Sequence, residues 1–255
     1  MFELLFTWLL VGFLAQLIDG TLGMAYGVSS TTALVSVGVY PALASASVHT
    51  AEIFTTLVSG ISHFKLGNVR KDMILRLAVP GVIGGVTGAF VAVSLSSKIL
   101  QLTVGGILLF MGLLIFFRFA LKRVLQFRKE RLSSRILMPL GYFAALLDAL
   151  GGGGWGPIAT TTLVTNKVKP SEAVGSVNFI EFFVTLAEAI TFIMLIGPEE
   201  FNWIIILSLL AGGVLCAPIG AWGCKRLPHR LLGTLVGVTV MILSIRMILK
   251  FFGIG

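Results

Sequence analysis

The chain has 255 residues, of which 56% are hydrophobic and only 12% are charged, and its formal net charge is +8. Such a large share of apolar residues cannot all be buried in one soluble core. The composition therefore predicts an all-α protein that crosses the cell membrane several times, and it excludes a soluble enzyme. The basic residues cluster between apolar runs, which indicates loop charges that fix orientation and not a nucleic-acid-binding surface.

The first predicted repeat covers residues 1–120 and opens with an apolar segment, residues 2–38, that is interrupted at 19–28 by "DGTLGMAYGV". A membrane helix rarely contains such a sequence, and irregular backbone at membrane depth needs protein or a water-filled cavity around it. We therefore predict a hairpin of two partial helices whose tip, 19–28, lies near the middle of the membrane. Three transmembrane helices are expected to follow it.

A basic linker, residues 121–134, follows the first repeat. Between positions 118 and 135 the chain carries seven Lys or Arg residues and one Glu. Short loops rich in Lys and Arg stay in the cytoplasm, so we place this linker there.

The second predicted repeat covers residues 135–255 and has its own hairpin, with the tip at 148–157, "DALGGGGWGP". A shift of 129 residues aligns the two halves over the tip and the next helix, including Asp19 with Asp148, Gly27 with Gly156, Thr31 with Thr160, His49 with Asn178 and Glu52 with Glu181. Equivalent turns carry opposite charge: residues 65–76 are basic, whereas the turn at Glu199 and Glu200 is acidic. This bias predicts inverted repeats, or about eight hydrophobic segments in a conventional count.

Each hairpin should direct a helix N-terminus at the centre of the protein, where its unpaired N–H groups and dipole favour an anion. The alternative is that the glycines only permit close helix packing. The predicted substrate-binding residues are the backbone, hydroxyl, aromatic and polar groups near the two tips: Gly23, Tyr26, Gly27, Ser30, Thr31, His49, Gly152, Gly154, Trp155, Gly156, Thr160 and Asn178.

Four acidic residues accompany these tips. Glu52 and Glu181 lie three residues after His49 and Asn178, on the same helical face. Carboxyls inside a membrane suggest a proton pathway, but Glu52 and Glu181 could equally hold the hairpins in shape. Asp19 and Asp148 directly precede the breaks, and we interpret them as caps on exposed N–H groups.

The second half carries "GGGGWGPI" followed by "PSEAVGSVNFIEFF". At these residues the chain resembles the sulfite exporter TauE/SafE family of membrane permeases, whose two related halves each carry a glycine-rich motif. The first half departs from that pattern, with "TLGMAYG" and "ASASVHTAE". The resemblance implies transport of sulfite, sulfoacetate or related small sulfur-containing or organic anions.

Together these features predict a secondary transporter that exports a small anion with proton coupling. Its expected partners are the anion, protons and the lipid bilayer; no cofactor, metal or nucleic acid is expected. A passive anion channel is the main alternative. A remote one is an intramembrane aspartic protease, but neither aspartate lies in a G-x-G-D context.

Overall fold

The computed structural model describes residues 2–120 and 132–252. Over these ranges the chain forms ten α-helices, two single 3₁₀ turns and no β-strand. The first five helices are α1 (Phe2–Leu22), α2 (Tyr26–Ser36), α3 (Pro41–Lys65), α4 (Ile74–Ser94) and α5 (Ser97–Ala120). The second five are α6 (Ser134–Gly151), α7 (Trp155–Thr165), α8 (Pro170–Ile196), α9 (Trp203–Gly223) and α10 (His229–Phe251).

Five helical stretches within the described residues are long and apolar enough to cross a membrane: Leu5–Leu22, Lys71–Ser94, Lys98–Phe119, Pro170–Ile196 and Trp203–Gly223. These stretches expose many large apolar side chains, among them Leu75, Met194 and Leu215. In a water-soluble protein such a surface would aggregate, whereas in a bilayer it faces lipid. The prediction of an all-α membrane protein is thus confirmed.

Both hairpin tips contain a helix break. Helix α1 ends at Leu22 and α2 begins at Tyr26; α6 ends at Gly151 and α7 begins at Trp155. Helices α2 and α7 have 11 residues each, which gives a length of about 16 Å, only half of the hydrocarbon thickness.

Helix α1 differs from the expected partial helix because its 21 residues are enough to cross a membrane. The reason is that Asp19 and Gly20 continue the last turn of α1. The chain leaves the helix only at Gly23, where φ is +68°. The break is therefore shorter than the predicted tip.

The two halves of the chain are interlocked. Helix α1 packs against α9, α6 packs against α4, α3 against α8 and α5 against α10. Glycines allow the first two contacts, since a Cβ on Gly12 would overlap the Leu209 carbonyl and one on Gly84 the Tyr142 carbonyl. Helices of residues 2–120 thus pack mainly on helices of residues 132–252. The inverted orientation of the repeats stays a prediction, and most of the basic linker lies outside the described residues.

Candidate functional site

Each break is built around an aspartate one turn before it. Asp19 Oδ1 accepts a hydrogen bond from the Ala25 N–H at 2.9 Å, and Asp148 Oδ1 accepts one from the Gly154 N–H at 2.6 Å. The next turn of chain is reversed at Gly23 and Gly152, both with φ near +68°. Only glycine adopts this conformation at little cost. Both aspartates thus make hydrogen bonds of the kind that caps make with exposed backbone N–H groups.

The two breaks lie against each other at the centre of the protein. Thr31 Oγ1 on α2 donates to the Gly152 carbonyl at 2.6 Å, and Thr160 Oγ1 on α7 donates to the Gly23 carbonyl at 2.7 Å. The N-termini of α2 and α7 are held close by this exchange of hydrogen bonds.

Side chains cannot be accommodated where the breaks meet. A Cβ on Gly27 would lie 2.9 Å from the Gly153 Cα, and one on Gly156 would lie 2.6 Å from the Met24 Cα. Real Cβ atoms essentially never approach backbone atoms so closely. Glycine at positions 27 and 156 is therefore a steric requirement of the contact.

A small cavity, with room for about one water molecule, opens between these two helix N-termini. Its walls combine backbone of the two breaks with three carboxyl groups; the lining residues are Asp19, Ala25, Gly27, Val28, Asp148, Gly153, Gly156, Pro157 and Glu181. The cavity thus places two helix N-termini and three acidic side chains around one space.

The two aromatic residues predicted to bind the substrate have partners elsewhere. The Tyr26 hydroxyl donates to the Leu209 carbonyl at 3.0 Å, and Trp155 Nε1 donates to the Val177 carbonyl at 3.3 Å. Both donors are thus bonded to the protein's own backbone and do not face the cavity. Ser30 is buried, and its hydroxyl has no hydrogen-bond partner among the described residues.

Glu52 and Glu181 take similar positions in the two halves. Glu52 is buried, with Oε1 3.5 Å from where a Cβ on Gly27 would lie. Glu181 lines the cavity, and its Oε2 has no hydrogen-bond partner among the described residues. Both carboxyls therefore lie beside the breaks. This position is compatible with a proton-carrying role and with a structural role.

A second polar cluster lies behind the cavity, and one of its members was missed by the sequence analysis. His49 Nε2 lies 3.0 Å from Glu188 Oε2 and 3.5 Å from Asp148 Oδ2. All three residues are buried, and nitrogen or oxygen atoms of the three lie within 4.8 Å of one another. The alignment of the two halves did not highlight Glu188, because the shift of 129 residues pairs it with Ser59. Its spacing of seven residues from Glu181, two helical turns, could have indicated that both carboxyls lie on the same helical face.

The corresponding pair beside the other break consists of neutral groups. Ser59 Oγ donates to Asn178 Oδ1 at 2.6 Å, and Asn178 Nδ2 donates to the Val174 carbonyl at 3.2 Å. Asn178 also lies near Asp19. Asp19, Asn178 and Ser59 thus repeat the arrangement of Asp148, His49 and Glu188.

The chain matches the family model described as "Sulfite exporter TauE/SafE" over residues 8–247. It belongs to the TauE/SafE family. A curated relative from Bacillus subtilis (strain 168), named "Probable membrane transporter protein YtnM", is 41% identical over 243 residues, which are 94% of this chain and 81% of the relative. No solved structure matches the chain.

Membership of the TauE/SafE family confirms the resemblance that the glycine motifs suggested. Together with the apolar helices, it shows that the protein is a multi-pass membrane transporter. The protein is thus not an enzyme, and the intramembrane protease alternative is excluded.

Proposed function

We propose that this TauE/SafE protein is a proton-coupled secondary transporter that exports a small oxyanion of the sulfite or organosulfonate class. The anion binds in the cavity between the N-termini of α2 and α7. The observation that carries this proposal is the lining of that cavity, where two helix N-termini and three carboxyl groups face the same space.

The helix N-termini supply the attraction for an anion. The first-turn N–H groups of a helix have no intrahelical partners, and they carry the positive end of the helix dipole. Because Gly27 and Gly156 present bare backbone, an oxyanion could accept hydrogen bonds from both helices at once. A charged anion placed at a helix end gains about 0.3–2 kcal/mol from each dipole.

The carboxyl groups of Asp19, Asp148 and Glu181, which line the cavity, make anion binding depend on protonation of the site. Two like charges 4 Å apart repel by about 4 kcal/mol at an effective dielectric constant near 20. One ionised carboxylate in contact with the anion would thus cancel the benefit of both helix ends. An anion is therefore expected to occupy the cavity together with protons that neutralise the carboxyls.

Binding of the proton and the anion together favours a coupled transporter over the passive channel. If one proton accompanies one monovalent anion, the step moves no net charge, and its direction follows the sum of the two concentration gradients. Export then occurs where metabolism makes the anion abundant inside the cell. The sulfonate or sulfite head group fits this chemistry because its oxygens are acceptors for backbone N–H donors.

Reconstitution of the purified protein into liposomes tests this function. Labelled sulfite and sulfoacetate are offered with the outside either acidic or at the internal pH, and protein-free liposomes serve as the control. We expect saturable accumulation of an anion above its equilibrium level when the outside is acidic, and its loss when a protonophore is added. Flux that follows only the anion gradient would establish a passive channel, and no flux above the control would refute the proposal.

A further inference from the structure

We infer that His49, Asp148 and Glu188 form the proton-binding site of this transporter, with the coupling proton held between the His49 imidazole and the Glu188 carboxylate. The inference rests on the proposed proton-coupled function and names the residues that would carry it. It differs from the sequence-based expectation, which assigned that role to Glu52 or Glu181.

The first step concerns the hydrogen on the other nitrogen of the imidazole. His49 Nδ1 lies 2.7 Å from the Ser45 carbonyl oxygen. A carbonyl oxygen can only accept a hydrogen bond, so Nδ1 must carry a hydrogen. In a neutral imidazole, Nε2 then bears a lone pair and no hydrogen.

The second step concerns the contact between His49 and Glu188. Nε2 lies 3.0 Å from Glu188 Oε2, and an ionised carboxylate offers only lone pairs. Two such atoms repel each other at this distance unless a positive charge lies between them. The contact is thus stable only if the pair binds one additional proton, beyond those of a neutral imidazole and an ionised carboxylate.

The third step concerns burial. Both Glu188 oxygens and His49 Nε2 lie away from solvent, and among the described residues they have no partner with full hydrogen-bond geometry. The close contact therefore has the distance of an ion pair without the alignment of a hydrogen bond. An unpaired buried carboxylate is strongly unfavourable. A bound proton removes this cost, and no neighbouring donor competes for the site.

The neighbouring charges also favour a proton. Glu188 on α8 and Asp148 on α6 face the imidazole, and Glu52 on α3 also interacts with it. Asp19 on α1 and Glu181 on α8 in turn lie near Glu52. Helix α4 presents Gly85 to Glu188. On other helices, the Tyr26 hydroxyl of α2 is bonded to Leu209, and Arg118 of α5 contacts Thr161 and Met24. The charged groups that act on the imidazole are thus acids.

The last step links the proton to the substrate cavity through Asp148. One oxygen of this carboxylate, Oδ1, caps the Gly154 N–H at the start of α7, and the other, Oδ2, lies 3.5 Å from His49 Nε2. Asp148 also lines the cavity. A proton arriving at His49 and Glu188 therefore reduces the negative charge that faces an entering anion. The neutral pair of Asn178 and Ser59, beside Asp19, cannot bind a proton and so cannot reduce the negative charge in this way.

Two transport modes measured on the same liposomes test the assignment. Exchange of labelled sulfoacetate at equal pH on both sides requires no net proton movement, whereas uphill accumulation requires it. The variants are Glu188→Gln and His49→Gln, and the matched control is Glu172→Gln, a carboxyl at the partly exposed start of the same helix. Sulfoacetate suits the assay because it does not titrate near neutral pH; sulfite replaces it if the wild type carries sulfite alone.

We expect Glu188→Gln to keep exchange within about threefold of the wild type, since Gln preserves the size of Glu, and both variants to lose proton-driven accumulation by about tenfold or more, since Gln cannot carry the proton. Glu172→Gln should keep both modes. If the wild type is coupled and both variants stay equally coupled, the site is overturned while the proposed function stands. A wild type that moves no anion refutes the function instead.

Metal binding distinguishes a proton site from a metal site. Stoichiometric binding of Zn²⁺ to the purified wild type, lost in His49→Gln, would overturn the proton assignment in favour of a metal site.

Each variant is checked for folding by a monodisperse profile in size-exclusion chromatography. If neither Gln variant folds, Glu188→Asp, which keeps the titratable group, should retain coupling. Addition of sulfoacetate to the wild type in weak buffer should also cause proton uptake, and its absence would overturn the proposal.

Discussion

The break after α1 and the break after α6 have the same construction, but the polar pairs behind them differ. Asp19 and Asp148 each cap an N–H six residues further along the chain, at 2.9 and 2.6 Å. Behind Asp148 lie His49 and Glu188, which can hold charge, whereas behind Asp19 lie Asn178 and Ser59, which cannot. The backbone geometry is therefore shared by both breaks, while only the break at Asp148 has a titratable pair behind it.

This difference separates two requirements that a symmetric site would combine. The facing helix N-termini need both halves, because each break contacts the other. The proton needs only one cluster, because a second charged cluster nearby would add repulsion among buried carboxylates. Mutations in the breaks should thus have similar effects in both halves, and mutations in the polar pairs should not.

The largest effect is expected for side chains added where the breaks meet. Gly156→Val and Gly27→Val should each reduce transport by about a hundredfold or more, because a Cβ at either position collides with backbone that cannot move independently. Transport by reconstituted protein and the thermal unfolding midpoint measure this. Gly106→Ala is the control, since no atom lies within 4 Å of its added Cβ. A Gly27→Val protein with normal transport would break the equivalence of the two halves.

The two caps should differ when their charge is removed. Asn can still accept the hydrogen bond of a cap, so Asp19→Asn should keep transport within about threefold of the wild type. Asp148→Asn also removes the charge beside His49, and we expect proton-driven accumulation to fall by about tenfold. Accumulation ratios at several external pH values compare the two variants. Equal losses would mean that the caps, and not the charged cluster, set the phenotype.

A smaller effect is expected at the neutral pair. Ser59→Ala removes the hydrogen bond to Asn178 and should cost about 1 kcal/mol of stability, the usual value for one such bond. Because no titratable group is lost, the dependence of transport on the proton gradient should be unchanged. Thermal unfolding and accumulation assays test both parts, and Ser62→Ala, on the partly exposed face of α3, is the control. A changed proton dependence would assign coupling to both halves.

The smallest effect on binding is expected at the two aromatic residues beside the breaks. Tyr26→Phe and Trp155→Phe remove donors that the structure engages with the Leu209 and Val177 carbonyls. Anion affinity should therefore change by less than about twofold, with a stability loss of about 1 kcal/mol for the missing bond in Tyr26→Phe. Equilibrium binding of sulfoacetate to the purified variants measures it. A large loss of affinity would show that these donors turn to the anion, as the sequence suggested.

The sequence predicted those features that depend on local spacing. The all-helical class followed from the apolar runs, and the breaks followed from Gly23 and from the run at 151–154. The spacing of Asp148 and Gly154 is short enough for the hydrogen bond between them to be anticipated as a cap. Each of these features involves residues within a few turns of one another.

Features that depend on packing between distant segments were not predictable in the same way. The Tyr26 hydroxyl meets Leu209 only because α1, which precedes α2, packs against α9. Glu188 was missed because a comparison of the halves highlights matched residues, whereas its importance lies in the mismatch with Ser59. The contact between His49 and Glu188 could be found only once α3 and α8 were placed side by side.

The exchange of hydrogen bonds between Thr31 and Gly152, and between Thr160 and Gly23, has a consequence for how such a chain can be assembled. Each half supplies the hydroxyl that the reversed turn of the other half requires, so neither half is complete alone. A polypeptide with one half would have to associate with a second copy to satisfy the same carbonyls. The covalent joining of two halves thus fixes a one-to-one stoichiometry, and it leaves each half free to carry different side chains at corresponding positions.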